Sequence, residues 1–482
     1  MIKSGHVNKK WPPILTFFFL VVTSFAAPKK YNVLFIISDD LTSTALSCYG
    51  NTVCKTPNID ALAARGTRFT RTYCQGTYCG PSRASFMSGY YPHATGVLGY
   101  KSPRPQIGNR ATWSQHFKNN GYHSTRISKI YHMGVPGGIE QGGHGADDAA
   151  SWTERFNSPG PEWKAPGQGE TLEGNPDGKR PVVGGNTFVV VEAEGDDLVH
   201  SDGKTAAKAC ELLAKYAKRE KPFFLGVGFV RPHVPFVAPE KYYPPFLPYS
   251  KMKLPHKVEG DWDDIPKPGI NYKTSVNMKM DVRRQKKAVG GYYASVSFMD
   301  AQVGKVLAAL KKAGLGDDTI VIFTSDHGYH LGEKGHWHKR TLWERSTRVP
   351  LIIVAPGVTR AETRCARPVS LLDLYPTLAD LCGLPACAEL EGQSLRPLLK
   401  NPKAEWKRPA VITWQKGNHA VRSERWRYIR YRTGEEKLYD HQTDPNEWNN
   451  LANDPKLAEL RKQMAKWLPT KNSKPNSKPK SK

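Results

Sequence analysis

Two uninterrupted apolar runs, each closed by acidic residues, place the strongest constraint on how this chain can fold. The first run occupies residues 31–38 and ends at Asp39-Asp40, and the second occupies residues 319–324 and leads into Ser325-Asp326-His327. Continuous apolar runs of this length are typical of strands buried on both faces, as in parallel sheets covered by helices. Open α/β sheets bind their ligands at the carboxyl ends of such strands. The acidic residues are therefore candidates for a functional site.

The other patterned segments predict an α/β sandwich. Two apolar runs predict strands, at residues 223–230 and 349–355. Two further segments predict helices, at residues 58–64 and 292–312. Strands that alternate with helices along a chain form a mostly parallel sheet. With 482 residues, the chain is long enough for one large α/β domain or two packed subdomains.

The texture of the sequence changes near Trp406. Short alternating runs at residues 428–431 and 437–440 predict a smaller antiparallel sheet with one face in solvent, and residues 455–467 predict a final helix. Residues 134–185, rich in glycine and proline, are predicted to form a long loop region. The sequence therefore predicts four regions: a signal peptide at 1–26, a large α/β domain at 27–405, a C-terminal subdomain at 406–469 and a disordered basic tail at 470–482.

The amino terminus has the features of a secretory signal. Lys3, Lys9 and Lys10 form a positive segment, residues 14–25 form an apolar segment, and Ala26 offers a small residue for cleavage. The apolar segment is too short to cross a bilayer core of about 30 Å, so no stable membrane anchor is expected. The sequence therefore predicts an exported protein, periplasmic or secreted.

The chain remains strongly basic after its terminal segments are removed. Its formal net charge is +26, and removing the three lysines of residues 1–26 and the five lysines of residues 470–482 leaves +18. A field of that sign attracts polyanions such as nucleic acid, an acidic membrane or a sulfated polysaccharide. A basic surface that is simply solvated is also consistent with a net charge of +18. The charge alone does not distinguish that surface from one that binds a polyanion. Export makes nucleic acid the least expected partner.

An even number of cysteines in an exported protein invites disulfides. The eight are Cys48, Cys54, Cys74, Cys79, Cys210, Cys365, Cys382 and Cys387. The pairs Cys382–Cys387 and Cys48–Cys54 are near enough in sequence to close small loops. Cys79 stands apart because it opens the run Cys79-Gly80-Pro81-Ser82-Arg83. Without that run, it would be interpreted as a disulfide partner of Cys74 or as a buried thiol.

Three acidic side chains at predicted strand ends offer oxygen ligands for a divalent cation. Asp39, Asp40 and Asp326 are hard donors suited to Ca²⁺ or Mg²⁺. An isolated Asp-Asp pair is more often a helix cap or a turn, but the second acidic strand end favours a metal site. Three further segments are rich in basic residues and are ambiguous one by one, since a single Lys or His is usually a surface residue: residues 129–132, 231–236 and 334–339.

The run from Gly76 to Gly89, which contains Cys79 to Arg83, resembles type I sulfatases along its whole length. Other segments resemble the same family in the same order, and most closely its iduronate 2-sulfatase-like branch: Asp39-Asp40, Lys129-x-x-His132, the Arg-Pro-His-x-Pro-Phe run at His233, Ser325 to Gly328, Gly332 to Lys339, and Leu438-Tyr439-Asp440 with residues 444–451. Agreement of separated motifs in one order is far more specific than any single motif. The resemblance covers about residues 30–468.

The resemblance implies an alkaline-phosphatase-like sandwich, with residues 27–405 as the catalytic domain of a sulfate-ester hydrolase. It implies that a formylglycine-generating enzyme oxidises Cys79 to formylglycine (3-oxoalanine), an aldehyde whose hydrate attacks the ester. It also implies one Ca²⁺ held by Asp39, Asp40, Asp326, His327 and the oxygen of modified Cys79. Many members of the family have Asn where this chain has His327, and this His is similar to the iduronate-type branch.

The resemblance further implies a role for each basic residue. Arg83 and Lys129 hold the hydrated aldehyde and offset charge, and Lys339 grips the sulfate. His132 takes a proton from the diol as sulfate is released. His233 donates a proton to the leaving alkoxide, whose high pKa makes that donation valuable. The second hydroxyl of the hydrate regenerates the aldehyde, a route closed to a serine ester.

We therefore expect a sulfatase that acts on a sulfated polysaccharide or a glycosaminoglycan oligosaccharide, with a uronate or hexose as the favoured target. Two alternatives stay open. A phosphatase or phosphodiesterase of the same fold would usually use two zinc ions, for which His327, His330, His336 and His338 are candidate ligands. The other alternative is a non-catalytic protein that binds sulfated glycans.

Overall fold

The computed structural model of this chain describes residues 1–5, 30–173, 187–270 and 276–470. The predicted signal peptide lies outside these ranges apart from residues 1–5, and the predicted basic tail lies outside them apart from Thr470. Among the helices of these ranges, none combines the length and the hydropathy needed to cross a membrane.

Eighteen β-strands lie in the described ranges, in one large sheet and three small ones. In chain order they are β1 (Asn32–Ser38), β2 (Thr67–Tyr73), β3 (His123–Ser128), β4 (Glu154–Phe156), β5 (Gly167–Thr171), β6 (Val189–Ala193), β7 (Phe223–Gly228), β8 (Phe236–Pro239), β9 (Thr319–Ser325), β10 (His330–Leu331), β11 (Trp337–His338), β12 (Arg348–Val354), β13 (Thr363–Cys365), β14 (Val369–Ser370), β15 (Ala410–Thr413), β16 (His419–Arg422), β17 (Trp426–Arg430) and β18 (Glu436–Asp440). The four strands predicted for the α/β domain are β1, β7, β9 and β12.

Twelve α-helices lie in the same ranges: α1 (Pro57–Ala64), α2 (Cys79–Ser88), α3 (Pro92–Thr95), α4 (Arg104–Ile107), α5 (Trp113–Asn119), α6 (Gly137–Glu140), α7 (Ser201–Tyr216), α8 (Val282–Lys312), α9 (Glu344–Thr347), α10 (Leu374–Leu381), α11 (Arg396–Lys400) and α12 (Ala458–Ala465). The helix predicted at residues 292–312 begins earlier than expected, at Val282. Asp281 caps it by accepting the backbone N–H of Arg284 at 2.8 Å. The charged first turns lack the apolar spacing of a buried face, which is why the pattern missed them.

The large sheet confirms the predicted mostly parallel architecture. Its order is β13-β2-β12-β9-β1-β7-β3-β4, and β14 also pairs with β2. The central strands β9, β1, β7 and β3 are all parallel. Strand β12 is antiparallel to both of its neighbours. A strand buried on both faces shows no direction in its apolar pattern, so this reversal was invisible in the sequence.

Alternate residues of β1 face two different layers of helices. Leu34 and Ile36 pack in one core with residues of α1, α7 and α8. Val33, Phe35 and Ile37 pack in a second core with residues of α2, α5 and α10. Because neither face of the strand meets water, the residues from Val33 to Ile37 are all apolar. The sheet lies between two helical layers, as the predicted sandwich requires.

The small antiparallel sheet predicted near the C-terminus is formed by β15-β16-β17-β18, but the face expected in solvent is covered, since Val421, Tyr428 and Leu438 pack with Met464 of α12. It shares an apolar core with the large domain, since Ile412 and Ile429 lie in one cluster with Tyr73 and Trp343. The predicted final helix is shorter than expected: a 3₁₀ turn precedes α12, which ends at Ala465. We keep the division of the chain between residues 405 and 406 as a proposal.

The predicted loop region at residues 134–185 contains more regular structure than expected. Helix α6 and strands β4 and β5 lie within it. Strand β4 extends the large sheet beside β3, and β5 joins a small sheet with β6 and β8. Residues 174–186 lie outside the described ranges. Strands of 3 and 5 residues give too weak a period for detection in the sequence.

Candidate active site

Four neighbouring parallel strands bring predicted site residues to one edge of the large sheet. Near their carboxyl ends, Ser38 of β1 pairs with Ser325 of β9, Ile37 pairs with Gly228 of β7, and Gly228 pairs with Ser128 of β3. The segments that follow these strands therefore lie side by side. They carry Asp326 and His327 after β9, Asp39 and Asp40 after β1, His233 after β7, and Lys129 and His132 after β3.

Helix α2 places Cys79 and Arg83 over the same edge. The first residue of the helix is Cys79, and all of its residues are buried. The guanidinium of Arg83 donates to Asp326 Oδ2 at 2.8 Å and to Asp39 Oδ1 at 3.0 Å. It also donates to the backbone carbonyl of Lys129. Arg83 thus ties the helix to the ends of three strands.

Four side chains form a compact cluster with the ligand types of a divalent-cation site. Ligand atoms of Asp39, Asp40, Cys79 and His327 all lie within 4.8 Å of one another. His327 Nε2 is 3.2 Å from Asp40 Oδ1 and 3.4 Å from Cys79 Sγ. Asp326 Oδ2 borders the cluster, 3.5 Å from His327 Nε2. The structure therefore brings together the five residues predicted to hold a metal ion.

The donor set fits a hard divalent cation. Its three carboxylates are fully buried, and buried carboxylates need compensating positive charge. His327 Nδ1 lies 2.9 Å from the Gly328 carbonyl, so Nδ1–H donates there and leaves the Nε2 lone pair facing the cluster. Burial alone would lower the pKa of His327, but Asp326, Cys79 and Asp40 raise it well above its ordinary value. A bound cation can take the place of that proton.

Two buried lysines face the carboxylates. Lys339 Nζ lies 2.5 and 2.6 Å from the two oxygens of Asp40 and 3.8 Å from Cys79 Sγ. Lys129 pairs with Asp39. Burial alone would raise the pKa of Asp39, but Lys129 and other nearby cations hold it well below its usual range. Asp39 therefore stays ionised at neutral pH.

His233 and His132 flank the cluster in their neutral form. His233 Nε2 is 3.8 Å from Asp40 Oδ2, and its Nδ1 lies 2.5 Å from the Val234 carbonyl. Burial is the main cause that lowers the pKa of His233 to about 3 and the pKa of His132 to about 2. Cations beside each ring, Lys129 among them, lower both values further. An anion bound beside these rings would raise both pKa values, because it favours their charged form.

All eight cysteines are unbridged. The pairs Cys382–Cys387 and Cys48–Cys54, suggested by their spacing, are therefore not formed in the structure. Burial raises the pKa of the Cys79 thiol above its ordinary value, and the charge of Asp39 adds to the shift. The unmodified thiol is consequently a poor nucleophile at neutral pH.

A buried charge network behind His233 was missed in the sequence. Arg231 donates to the backbone carbonyls of His233 and Pro235, both at 2.8 Å, and also pairs with Glu162. Asp202 accepts the backbone N–H of Arg231 at 2.9 Å. The Arg-Pro-His run was visible, but nothing local indicated that Glu162, from the predicted loop region, would reach it.

The histidines considered for a two-zinc site do not join the cluster at Cys79. Among the described residues, His327 is the one that contributes to it. Ring nitrogens of the other three face different groups: His330 faces Thr341, His336 faces the carbonyl of Lys339, and His338 faces Tyr329. The described part of the chain therefore gives the two-zinc alternative no second metal centre at Cys79.

A second group of acidic and histidine side chains lies at the C-terminal sheet, away from Cys79. Glu344, His441 and Glu447 have ligand atoms close together. Two arginines occupy these carboxylates: Arg427 pairs with both Glu344 and Glu447, and Arg422 pairs with Glu344. The group is therefore an ion-pair network that joins the sheet to the large domain.

The chain was compared with families of known proteins and with curated relatives. The family profile described as Sulfatase matches residues 31–384, and the one described as N-sulphoglucosamine sulphohydrolase, C-terminal, matches residues 332–474. A sulfatase of Formosa agariphila is 36% identical over 459 residues, covering 92% of this chain and 87% of that protein. The iduronate 2-sulfatase of Homo sapiens is 33% identical over 393 residues, covering 73% of this chain and 69% of that protein.

A solved structure of a 2-O GAG sulfatase shares the fold. It is 25% identical to this chain, the match covers 90% of each chain, and the TM-score is 0.68. This likeness confirms the predicted alkaline-phosphatase-like architecture.

Proposed function

This chain belongs to the sulfatase family, and on that premise we propose that it removes sulfate from a carbohydrate through formylglycine formed at Cys79. Membership of the type I sulfatases was predicted from the motifs and is confirmed, as is the assignment as a sulfuric ester hydrolase. The relatives support a carbohydrate sulfatase. The substrate that we favour is a sulfated polysaccharide or glycosaminoglycan oligosaccharide, with a uronate or hexose carrying the ester.

The observation that carries this proposal is the concentration of buried cations around Cys79. Arg83, Lys129 and Lys339 are each at most 2% exposed, and they balance three buried carboxylates. A divalent cation added to this set leaves an excess of positive charge beside Cys79. Preorganised positive charge in a dry site binds an anion and stabilises charge that develops during reaction. A sulfate ester supplies such an anion.

The same arrangement supports a ligand set for the proposed ion. Five groups would hold one Ca²⁺: Asp39, Asp40, Asp326, His327 and the oxygen of modified Cys79. A bound Ca²⁺ supplies positive charge to sulfate oxygens and lowers the pKa of a hydroxyl attached to it. Hydrated formylglycine at this position would supply one hydroxyl for attack and a second that restores the aldehyde.

The side chains around this position orient the groups and move protons. Arg83 is fixed by two carboxylates and, with Lys129, holds the nucleophile in place, while Lys339 binds the sulfate. His132 accepts a proton from the diol, and its neutral state in the structure suits that role. His233 donates a proton to the leaving oxygen. We propose that the bound sulfate ester raises the pKa of His233 from about 3 and so charges the ring before it acts as an acid.

Release of inorganic sulfate from sulfated sugars tests the proposed function. Protein co-expressed with a formylglycine-generating enzyme is expected to release sulfate from at least one sulfated uronate or hexose. Zinc-dependent release of phosphate from a phosphodiester, with no release of sulfate, would instead support the phosphodiesterase alternative. Binding of sulfated glycans without any release of sulfate would support the non-catalytic alternative.

Arg231→Lys is expected to lower kcat about tenfold to a hundredfold, with little change in KM. Lysine keeps a positive charge opposite Glu162 but cannot reproduce the planar fork that holds two carbonyls of the His233 loop. A shift of about 1 Å in a catalytic group can cost on the order of 10²-fold in rate. Steady-state kinetics on a sulfated sugar measure the effect, and the thermal midpoint shows whether the variant is folded.

The matched control is Arg425→Lys. Arg425 also makes a two-pronged contact, to Asp440 at 2.8 and 2.6 Å, but in the C-terminal sheet. It is expected to leave kcat within about twofold of the original, as surface changes usually do. Equal losses of kcat in the two variants would contradict a positioning role for Arg231.

Salt is expected to raise the KM for a polymeric sulfated glycan several-fold between roughly 0.05 and 0.5 M NaCl, because screening weakens the pull of the basic surface on a polyanion. The KM for a sulfated monosaccharide should respond less, since the small substrate meets mainly the buried cations. Initial rates at several salt concentrations give both values. A salt-insensitive KM on the polymer would contradict a role for the +18 charge.

We also propose that the chain is exported, to the periplasm or beyond, and that a formylglycine-generating enzyme is its maturation partner. The lysine-rich start with residues 14–25 supports export, and the run from Cys79 to Arg83 supports maturation. Sequencing the amino terminus of the protein from a periplasmic or culture fraction tests the export proposal. A processed terminus at residue 27 is the expected result.

A further inference from the structure

A rim of aromatic and cationic side chains borders the candidate active site. It consists of Tyr78, Tyr100, His132 and Arg340, and is called here the Tyr100 rim. The Tyr100 ring stacks on the His132 ring with their centroids 4.0 Å apart. The Tyr100 hydroxyl accepts a hydrogen bond from Arg340 Nη2 at 2.7 Å. The Arg340 guanidinium also lies over the Tyr78 ring, 5.1 Å from its centroid.

The Tyr100 rim is anchored on both sides of Cys79. A Cβ atom on Gly80, the next residue, would lie 2.4 Å from the carbonyl oxygen of Gly99 and 3.0 Å from the Tyr100 ring, so this segment packs directly against the start of helix α2. On the other side, the backbone N–H of Arg340 donates to the carbonyl of Thr77 at 3.0 Å. The position of the rim relative to the nucleophile is therefore fixed by backbone contacts.

Lys339 and Arg340 are consecutive in the sequence, but one faces the inner part of the site and the other faces its outer part. Lys339 is buried and faces Asp40, whereas Arg340 is half-buried and reaches the rim beside Tyr100, which is 43% exposed. Arg340 has a φ of 74°, a left-handed conformation that a non-glycine residue keeps only where its surroundings hold it. This backbone conformation helps to turn adjacent cations toward different parts of the site.

We propose that Arg340, oriented by Tyr100, recognises a second anionic group on the sugar that carries the sulfate ester. This inference rests on the proposed sulfatase function and narrows its substrate class. A guanidinium binds a carboxylate or a sulfate through two parallel hydrogen bonds. A single tyrosine side chain separates Arg340 from His132, and its ring is close in size to one pyranose ring. The second anion therefore belongs to the same sugar unit: a uronate carboxylate or a second sulfate.

Three monosaccharide sulfates test the proposal: a sulfated uronate, the same sugar with its carboxyl group reduced to an alcohol, and that reduced sugar with a second sulfate. Arg340→Gln is expected to raise the KM for the sulfated uronate about tenfold or more, with kcat little changed, because it removes a charge-assisted pair. The KM for the reduced sugar should change less than about twofold. If KM rises equally for the disulfated sugar and the sulfated uronate, Arg340 recognises either anion. If KM rises for only one of these two sugars, the second anion of that sugar is the recognised group.

Two further variants separate recognition from a general structural effect. Tyr100→Phe keeps the ring stacked on His132 but removes the hydroxyl that orients Arg340, so an intermediate rise in KM for the charged sugars is expected. Arg110→Gln is the matched control, since the Arg110 guanidinium lies over the Tyr90 ring, 4.3 Å from its centroid, without a contact to the rim. It should leave all three KM values unchanged. Equal changes in KM for charged and reduced sugars in Arg340→Gln would overturn the proposal.

Binding measurements keep this inference separable from the proposed function. Calorimetry with Cys79→Ala protein, with and without Arg340→Gln, reports sugar affinity in the absence of turnover. If the original protein releases no sulfate but Arg340→Gln selectively weakens binding of the charged sugars, the proposed function fails and the recognition by Arg340 stands. The opposite result would be release of sulfate from all three sugars, with KM unchanged by Arg340→Gln and with affinity unchanged by Arg340→Gln in Cys79→Ala protein. The proposed function would then stand, and the recognition by Arg340 would be overturned.

Discussion

Cys79→Ala is expected to abolish sulfate-ester hydrolysis, with kcat falling by a factor on the order of 10⁵ or more, as for the loss of other covalent nucleophiles. Alanine lacks the side chain that would be converted to formylglycine, so both attack and regeneration are lost. Affinity for the sulfated sugar should persist, because Arg83, Lys129 and Lys339 remain. Sulfate release and calorimetric binding on the same preparation measure the two effects.

Mass spectrometry of the peptide that contains Cys79 completes this experiment. Active protein should carry a mass about 18 Da below that of the thiol, the difference between cysteine and formylglycine. The matched control is Cys74→Ala, which removes another buried cysteine whose thiol contacts the Ser346 carbonyl at 3.8 Å. It should keep activity and lose only about 1 kcal/mol of stability. Full activity in Cys79→Ala, or an unmodified thiol in fully active protein, would contradict the formylglycine mechanism.

Removal of bound metal is expected to cost on the order of 10³-fold in kcat, restored by Ca²⁺. A metal ion supplies several kcal/mol of charge stabilisation, and each 1.4 kcal/mol corresponds to about tenfold in rate. Without the ion, three buried carboxylates are left facing the cations that should bind sulfate. Dialysis against a chelator followed by titration with Ca²⁺, Mg²⁺ or Zn²⁺ measures the loss and the recovery.

Asp40→Asn localises this effect. The variant should raise the Ca²⁺ concentration for half-maximal activity at least tenfold to a hundredfold, the range seen even for groups that only support a metal ligand. Asp263→Asn is the matched control, since Asp263 is exposed and lies outside the cluster, and its Ca²⁺ requirement should be unchanged. Recovery with Zn²⁺ alone would contradict a calcium site and revive the phosphodiesterase alternative.

Much of the fold could be predicted from the sequence because buried strands produce apolar runs in consecutive residues. The stretches Val33 to Ile37 of β1 and Ile320 to Phe323 of β9 contain only apolar residues, since the two faces of each strand pack against different helical layers. Helix α8 shows where such an apolar pattern fails. Its first turns are held by the Asp281 cap and by contacts of charged side chains, such as Arg283 with Glu170, and neither produces an apolar period.

The candidate site also has a part that the sequence displays and a part that depends on the fold. Cys79 with Arg83, and the strand ends at Asp40 and Asp326, occur in short motifs that the sequence displays directly. The parallel pairing of β1 with β9 brings Asp40 and Asp326 together, and helix α2 brings Cys79 to them through the contacts of Arg83 with Asp39 and Asp326. The sequence displays the motifs but not the pairing, although the family resemblance implied it.

By itself, the sequence determined the α/β class, the family, and the residue types that we propose for the nucleophile and the metal ligands, because each is recorded within a few consecutive residues. The tertiary structure alone decided the reversal of β12 and the groups that support and border the site. The pair Arg231–Glu162 spans 69 residues, and the contact Arg340–Tyr100 spans 240. Such contacts depend on how distant segments pack. These contacts are stabilised by interactions between side chains that are far apart in the sequence, so no pattern of neighbouring residues predicts them.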